Sequence, residues 1–279
     1  MGRRGRHRTG CCRGPQIHLQ RIGAMSGLVF CDQIDLAGGE PCFRITMKAP
    51  RANALEPGLL QDLHQAFDTL EKSGVRKTLI LGGRNFSTGG DVSRFHEAAR
   101  NGRAEQYAEA VVPVLQDLVM RMIAMPLLIA SAVRGAATGG SAGILFASGI
   151  AAAEPGAFVQ PYYGVMGFAP DGGWTALLPE LIGAGPAQGW LMANCRHGAG
   201  ELQRLGLVQA VDADPETRAA ELLGSIDAGS ALAAKSLVWN GERLARVRAG
   251  LDAETAAFRT LIGRQETLSR MAQFLQSTG

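Results

Sequence analysis

At 279 residues and 46% hydrophobic composition, the chain is long enough to bury one large core. No stretch approaches the roughly eighteen consecutive apolar residues of a membrane-spanning helix, so no bilayer partner is expected. The formal charge of +3 is unevenly placed: Arg3, Arg4, Arg6, Arg8, Arg13 and Arg21 precede the first acidic residue, Asp32, and the remainder holds 22 basic against 25 acidic residues. A body so balanced gives no case for nucleic-acid binding.

Residues 1–26 form a basic leader open to three readings: a transit peptide poor in Ser, a basic arm for an anionic partner, or a disordered extension with Met25 as the natural start. The last is the expectation, leaving a core over 27–212 and a helical region over 213–279. Residues 42–47 alternate like a strand, and Leu59, Leu60, Leu63, Phe67 and Leu70 then recur at helical spacing. A strand at 78–81 leads into Asn85-Phe86-Ser87-Thr88-Gly89-Gly90-Asp91, where Asp91 is placed to cap a helix. Val111, Leu115, Leu118 and Met122 mark a further helix that must stop before Pro126. A second strand at 127–130 leads into Gly135-Ala136-Ala137-Thr138-Gly139-Gly140-Ser141 and another helix. From residue 214 strands vanish, and 216–226, 231–239 and 251–275 read as helices. Strands punctuated by glycine turns and helices predict an α/β fold with a site at strand ends.

Two glycine-rich strand-to-helix turns suit an oxyanion hole, because backbone N–H groups must approach a developing charge without a side chain in the way. Both turns resemble signatures of the crotonase (enoyl-CoA hydratase/isomerase) superfamily, roughly F-S-x-G-x-D and G-x-x-x-G-G. Pro50-Arg51-Ala52-Asn53-Ala54-Leu55 is similar to that family's P-x-x-N-A-L segment, and Gly167-Phe168-Ala169-Pro170-Asp171-Gly172-Gly173 to its G-x-x-P-x-G-G loop. The resemblance implies a spiral of ββα units followed by a C-terminal helical region, assembled as a homotrimer or a dimer of trimers. It also implies an acyl-CoA substrate, no further cofactor, and donors at Gly90 and Gly140.

Hydratases of the family use two glutamates to deliver water. Here the first position is Gly143 and the second falls at Tyr162 or Tyr163, so the paired carboxylates are missing. Asp171 remains, at the point where some double-bond isomerases of the family carry an aspartate. One carboxylate suffices to move a proton from one side of an enolate to the other, and burial beside Phe168 and Trp174 would raise its pKa. Its alternative role is to cap a helix starting near Trp174. Tyr162 and Tyr163 are further candidate catalytic groups, with packing as the alternative. Phe86, Thr88, Met166, Phe168 and Trp174 are candidate substrate-binding residues, and Lys235 lies where relatives approach the CoA phosphates. The expected function is therefore a double-bond shift in an acyl-CoA. An altered hydratase and a non-catalytic acyl-CoA binder are the alternatives.

A competing signature is Gly139-Gly140-Ser141-Ala142-Gly143, which fits the G-x-S-x-G nucleophile elbow with Asp171 and His197 in hydrolase order. It leaves the Asn53 and Phe86 motifs unexplained. The five cysteines, with no metal-ligand spacing and an odd total, fit a reducing cytoplasm and give no metal site.

Overall fold

The computed structural model describes residues 27–278, so the expectation for the basic leader lies outside the described residues. Strands β1 (Val29–Asp35) and β2 (Pro41–Met47) form an antiparallel pair with Val29 opposite Met47. A single turn, α1 (Pro50–Asn53), then holds Arg51, Ala52 and Asn53 at φ of 51°, 55° and 59°. Helix α2 (Pro57–Ser73) starts on a proline, which needs no amide donor there, and stops at Gly74 in left-handed conformation. β3 (Lys77–Leu81) follows, then α3 (Val92–Arg100) and α4 (Ala104–Ala124).

The next unit runs β4 (Leu128–Val133), β5 (Ala136–Thr138), a 3₁₀ turn over Gly139–Ser141, and α5 (Ala142–Ala147). It is followed by β6 (Ile150–Ala153), β7 (Phe158–Gln160), α6 (Tyr163–Met166), α7 (Leu178–Ile182) and α8 (Ala184–Ala193). Short β8 (His197–Gly198), α9 (Ala199–Arg204) and β9 (Ala210–Val211) close the strand-bearing part. Helices α10 (Pro215–Gly224), α11 (Ala228–Val238), α12 (Gly241–Ile262) and α13 (Gln265–Thr278) complete it.

One sheet has the order β1-β2-β3-β4-β6-β9, parallel from β2 onward, and the other has the order β5-β7-β8. β3 and β4 are buried along their whole length because helices cover both faces. Alternate residues divide between two cores: Ile80, Ile129 and Val133 pack in the cluster with α2 and α4, whereas Leu79, Leu81, Ala130 and Ala132 pack with Ala219 and Leu223 of α10. This is the spiral of ββα units with a helical C-terminal region that the motifs imply.

Two expectations need correction. The single helix expected over 251–275 is two, because Gly263 ends α12 and the buried Thr267 hydroxyl bonds the carbonyls of Leu261 and Gly167, turning α13 back over α3 and α6. No helix starts near Trp174 either: residues 172–177 are consecutive turns and α7 begins at Leu178, so Asp171 caps nothing.

Candidate active site

The two glycine turns lie back to back. Ser87 N–H bonds Ala136 O at 2.9 Å and Thr138 N–H bonds Ser87 O at 3.1 Å, a parallel bridge that registers one turn on the other. Gly89, at φ 77°, has no room for a side chain, since a Cβ there would overlap the Thr138 carbonyl. Gly90 and Gly140 thereby reach the same cavity of about 400 Å³. Gly140 occupies the first turn of the 3₁₀ segment, where N–H groups have no intrahelical acceptor. Gly90 directly precedes Asp91, which caps α3 by accepting from Ser93 and Arg94 N–H.

Two carboxylates line the cavity, Asp91 and Asp171. Asp91 Oδ1 takes the capping bonds, while Oδ2 lies 2.5 Å from Arg51 Nε as an ion pair but accepts no hydrogen bond. Asp171 is 7% exposed and receives a hydrogen bond from Tyr163 Oη at 2.6 Å on Oδ1. Burial pushes the Asp171 pKa up to about 7, the Tyr163 bond to the anion pulls it down, and the charge of Glu254 pushes it up again. Burial and the neighbouring Asp171 carboxylate hold Tyr163 well above the ordinary phenol value, so it stays a donor. A carboxyl poised near neutrality can both accept and return a proton.

Part of the wall is apolar, with Phe95, Met166, Phe168 and Phe258 lining it and Phe274 and Leu275 supplied by α13 as a roof, while Arg51, Thr88, Ser93 and Thr138 add polar groups. Phe95, Phe168 and Phe258 pack on one another with centroids 5.1–5.6 Å apart, and Phe274 meets the Tyr162 ring. Among the described residues no group of three or more His, Cys, Asp or Glu is placed to hold a metal, and no helix is long and apolar enough to cross a membrane.

The enoyl-CoA hydratase/isomerase family profile matches residues 39–272. The chain belongs to this family. A Bacillus subtilis protein named probable enoyl-CoA hydratase is 32% identical over 194 residues, covering 68% of this chain and 70% of its own. Cyclohexa-1,5-dienecarbonyl-CoA hydratase of Thauera aromatica is 27% identical over 237 residues, covering 84% and 80%. In fold, the crystal structure of an enoyl-CoA hydratase/isomerase from Mycobacterium paratuberculosis matches with a TM-score of 0.76 at 22% identity, covering 89% of this chain and 99% of that one. The chain is thus an enzyme of the crotonase type.

A Cβ at Gly143 would overlap the Gly172 carbonyl oxygen, so the position where the resemblance implied a first glutamate has no room for a side chain. Asp171 Oδ1 lies beside Gly140, 2.6 Å from where a Cβ on that glycine would stand. Tyr162 and Tyr163, the two candidates for the second glutamate position, both line the cavity; Tyr162 is in left-handed conformation (φ 63°), its N–H held by Asn194 Oδ1 at 2.8 Å.

Of the candidate substrate-binding residues, Thr88, Met166 and Phe168 line the cavity. Phe86 and Trp174 do not: both are 0% exposed, and the Trp174 indole supports the Gly139 carbonyl from behind at 2.8 Å while packing on Phe146 and Trp190. Lys235 is corrected more strongly. Its three N–H donors bond the carbonyls of Met122, Met125 and Leu127 at 2.7–2.9 Å, closing the end of α4 and leaving none for a phosphate. Burial lowers its pKa to about 8, and it lines a separate cavity. The hydrolase alternative also fails. Ser141 is 0% exposed and its hydroxyl bonds the Thr138 and Ser87 carbonyls, while His197 stacks on Trp190.

Sequence reasoning missed the Arg51–Asp91 pair at the mouth and the phenylalanines of α3, α12 and α13. The first had a signal in the charged residues of two family motifs. The second had none, since a Phe on a helix face looks like core.

Proposed function

We propose that the protein shifts a carbon–carbon double bond in an acyl-CoA thioester, with Asp171 as the single acid/base. The thioester carbonyl binds between the Gly90 and Gly140 N–H groups. Asp171 takes the proton from C2 of a 3-enoyl chain, the charge moves onto the oxygen as a dienolate, and the same carboxyl returns a proton at C4 to give the 2-enoyl product. Tyr163 orients the carboxylate and remains protonated throughout. Donors fixed before reaction stabilise the enolate without reorganisation. The observation that carries this reading is Asp171: buried on the cavity wall, bonded only by Tyr163 among side chains, and held near neutrality. The apolar part of the wall fits an apolar acyl chain.

Hydration is the second reading, favoured by the names of the relatives above. Both are tested by incubating 2-enoyl, 3-enoyl and dienoyl thioesters with the protein in deuterated water and reading products by mass spectrometry. Deuterium gained with a moved double bond and no added water is the expected result. Added water would establish hydration, and unchanged thioesters across the panel would leave a binder without chemistry.

A further inference from the structure

Behind Asp171 stands a carboxylate that this reaction does not use. Glu254, on α12, is 4% exposed and takes four hydrogen bonds from one turn. Oε2 accepts Gly173 N–H at 2.9 Å, while Oε1 accepts Thr175 N–H at 2.6 Å, the Thr175 hydroxyl at 2.7 Å and Ala176 N–H at 3.2 Å. Three of the partners are backbone N–H groups that can only donate, and the Thr175 hydroxyl donates as well, an arrangement that suits the anion. The arginines of α12 pair elsewhere: Arg243 and Arg246 with Glu180, Arg248 with Asp117 and Arg259 with Glu109. Burying a carboxylate is costly, and its removal would leave the Gly173, Thr175 and Ala176 N–H groups without their acceptor.

We propose that Glu254 is a positioning residue, an inference resting on the acid/base role given to Asp171. It fixes the 172–176 turn that aims Asp171 into the cavity, and it keeps a negative charge behind that carboxyl. A like charge in a dry environment disfavours ionisation, so Glu254 adds to burial in holding Asp171 near neutrality. Tyr163 from α6 and Glu254 from α12 are the titratable groups that bear on Asp171, while the 3₁₀ turn and α4 present Gly140 and Leu115. Burial raises Glu254's own pKa, and the four donors pull it back.

The test follows the Asp171 carboxyl by ¹³C NMR in protein labelled at aspartate Cγ, its signal assigned by its loss in Asp171→Asn. In Glu254→Gln the Asp171 midpoint is expected to fall from about 7 toward the ordinary aspartate range, with the acid limb of the kcat profile following it. The amide also turns a donor toward Gly173 N–H, so kcat is expected to fall ~10²-fold with KM near the parent value. Glu254→Asp keeps the charge but withdraws it, and is expected to hold the midpoint while kcat falls. A folded Glu254→Gln with unmoved midpoint and parental kcat overturns the proposal. Should that variant not fold, parental kcat in Glu254→Asp does so. If instead Asp171→Asn turns over normally while the Asp171 midpoint still responds to Glu254→Gln, the acid/base reading is what fails.

Discussion

Asp171→Asn is expected to lower turnover by ~10² to 10⁴ while leaving thioester binding close to that of the parent, the usual scale for a removed general base. The amide has the same shape and its oxygen can still accept the Tyr163 hydroxyl, so the cavity should not collapse. What it lacks is basicity. On the proposed mechanism the deprotonated carboxylate starts the reaction, so kcat/KM should fall as pH drops below about 7. In the variant that limb should disappear. Rates and calorimetric binding of an unreactive thioester check this together. A variant that binds normally and still exchanges protons at the parental rate would reduce Asp171 to a turn residue and move attention to Tyr162 and Tyr163.

Gly140→Ala should cost ~10² or more in turnover from a single methyl group. Gly140 lacks positive φ, so its backbone tolerates alanine; the penalty is spatial. The new Cβ would stand 2.6 Å from Asp171 Oδ1 and 2.8 Å from Leu115 Cδ2, forcing the carboxyl out of its place and crowding the donor beside it. The stability cost of such overpacking is about 1–3 kcal/mol, which leaves a 279-residue protein folded. Gly164→Ala is the control, since a Cβ there meets nothing within 4 Å. Parental turnover in folded Gly140→Ala would remove this glycine from the site.

Much of the fold was legible because its elements carry plain periodicity. β2, α2, β3 and α4 follow the apolar spacing that predicted them. β1 escaped notice because Asp32 interrupts its apolar pattern, yet Asp32 is 2% exposed and neutralised by Arg44, directly opposite it in the sheet. Around the cavity, Gly90, Gly140 and Asp171 were legible because each sits in a motif whose backbone shape restricts the residue types allowed, and Tyr163 only as one of two candidates for a missing glutamate. Glu254 and Phe258 were not, since they reach the cavity region from about eighty residues away and only folding brings them there. Phe86 and Trp174 were misread for the opposite reason. Sequence adjacency to a site says nothing of direction, and both side chains point into the core.

The left-handed turn at Arg51–Asn53 carries a consequence for how the molecule is built. Three consecutive non-glycine residues in that conformation cost roughly 1–2 kcal/mol each, and the local bonds, among them Ala49 N–H to Asn53 Oδ1 and the Arg51–Glu56 ion pair, are few. Further compensation comes from afar: the Asn53 amide donates to the carbonyls of Gly82, Asn85 and Phe86, about thirty residues on. A chain still searching for its native contacts has no reason to adopt the turn before β3 and the loop after it are in place. The part of the cavity lined by Arg51 is therefore expected to assemble late on the folding route. Asn53→Ala should accordingly hasten unfolding far more than it slows refolding, a partition that stopped-flow kinetics in denaturant would reveal.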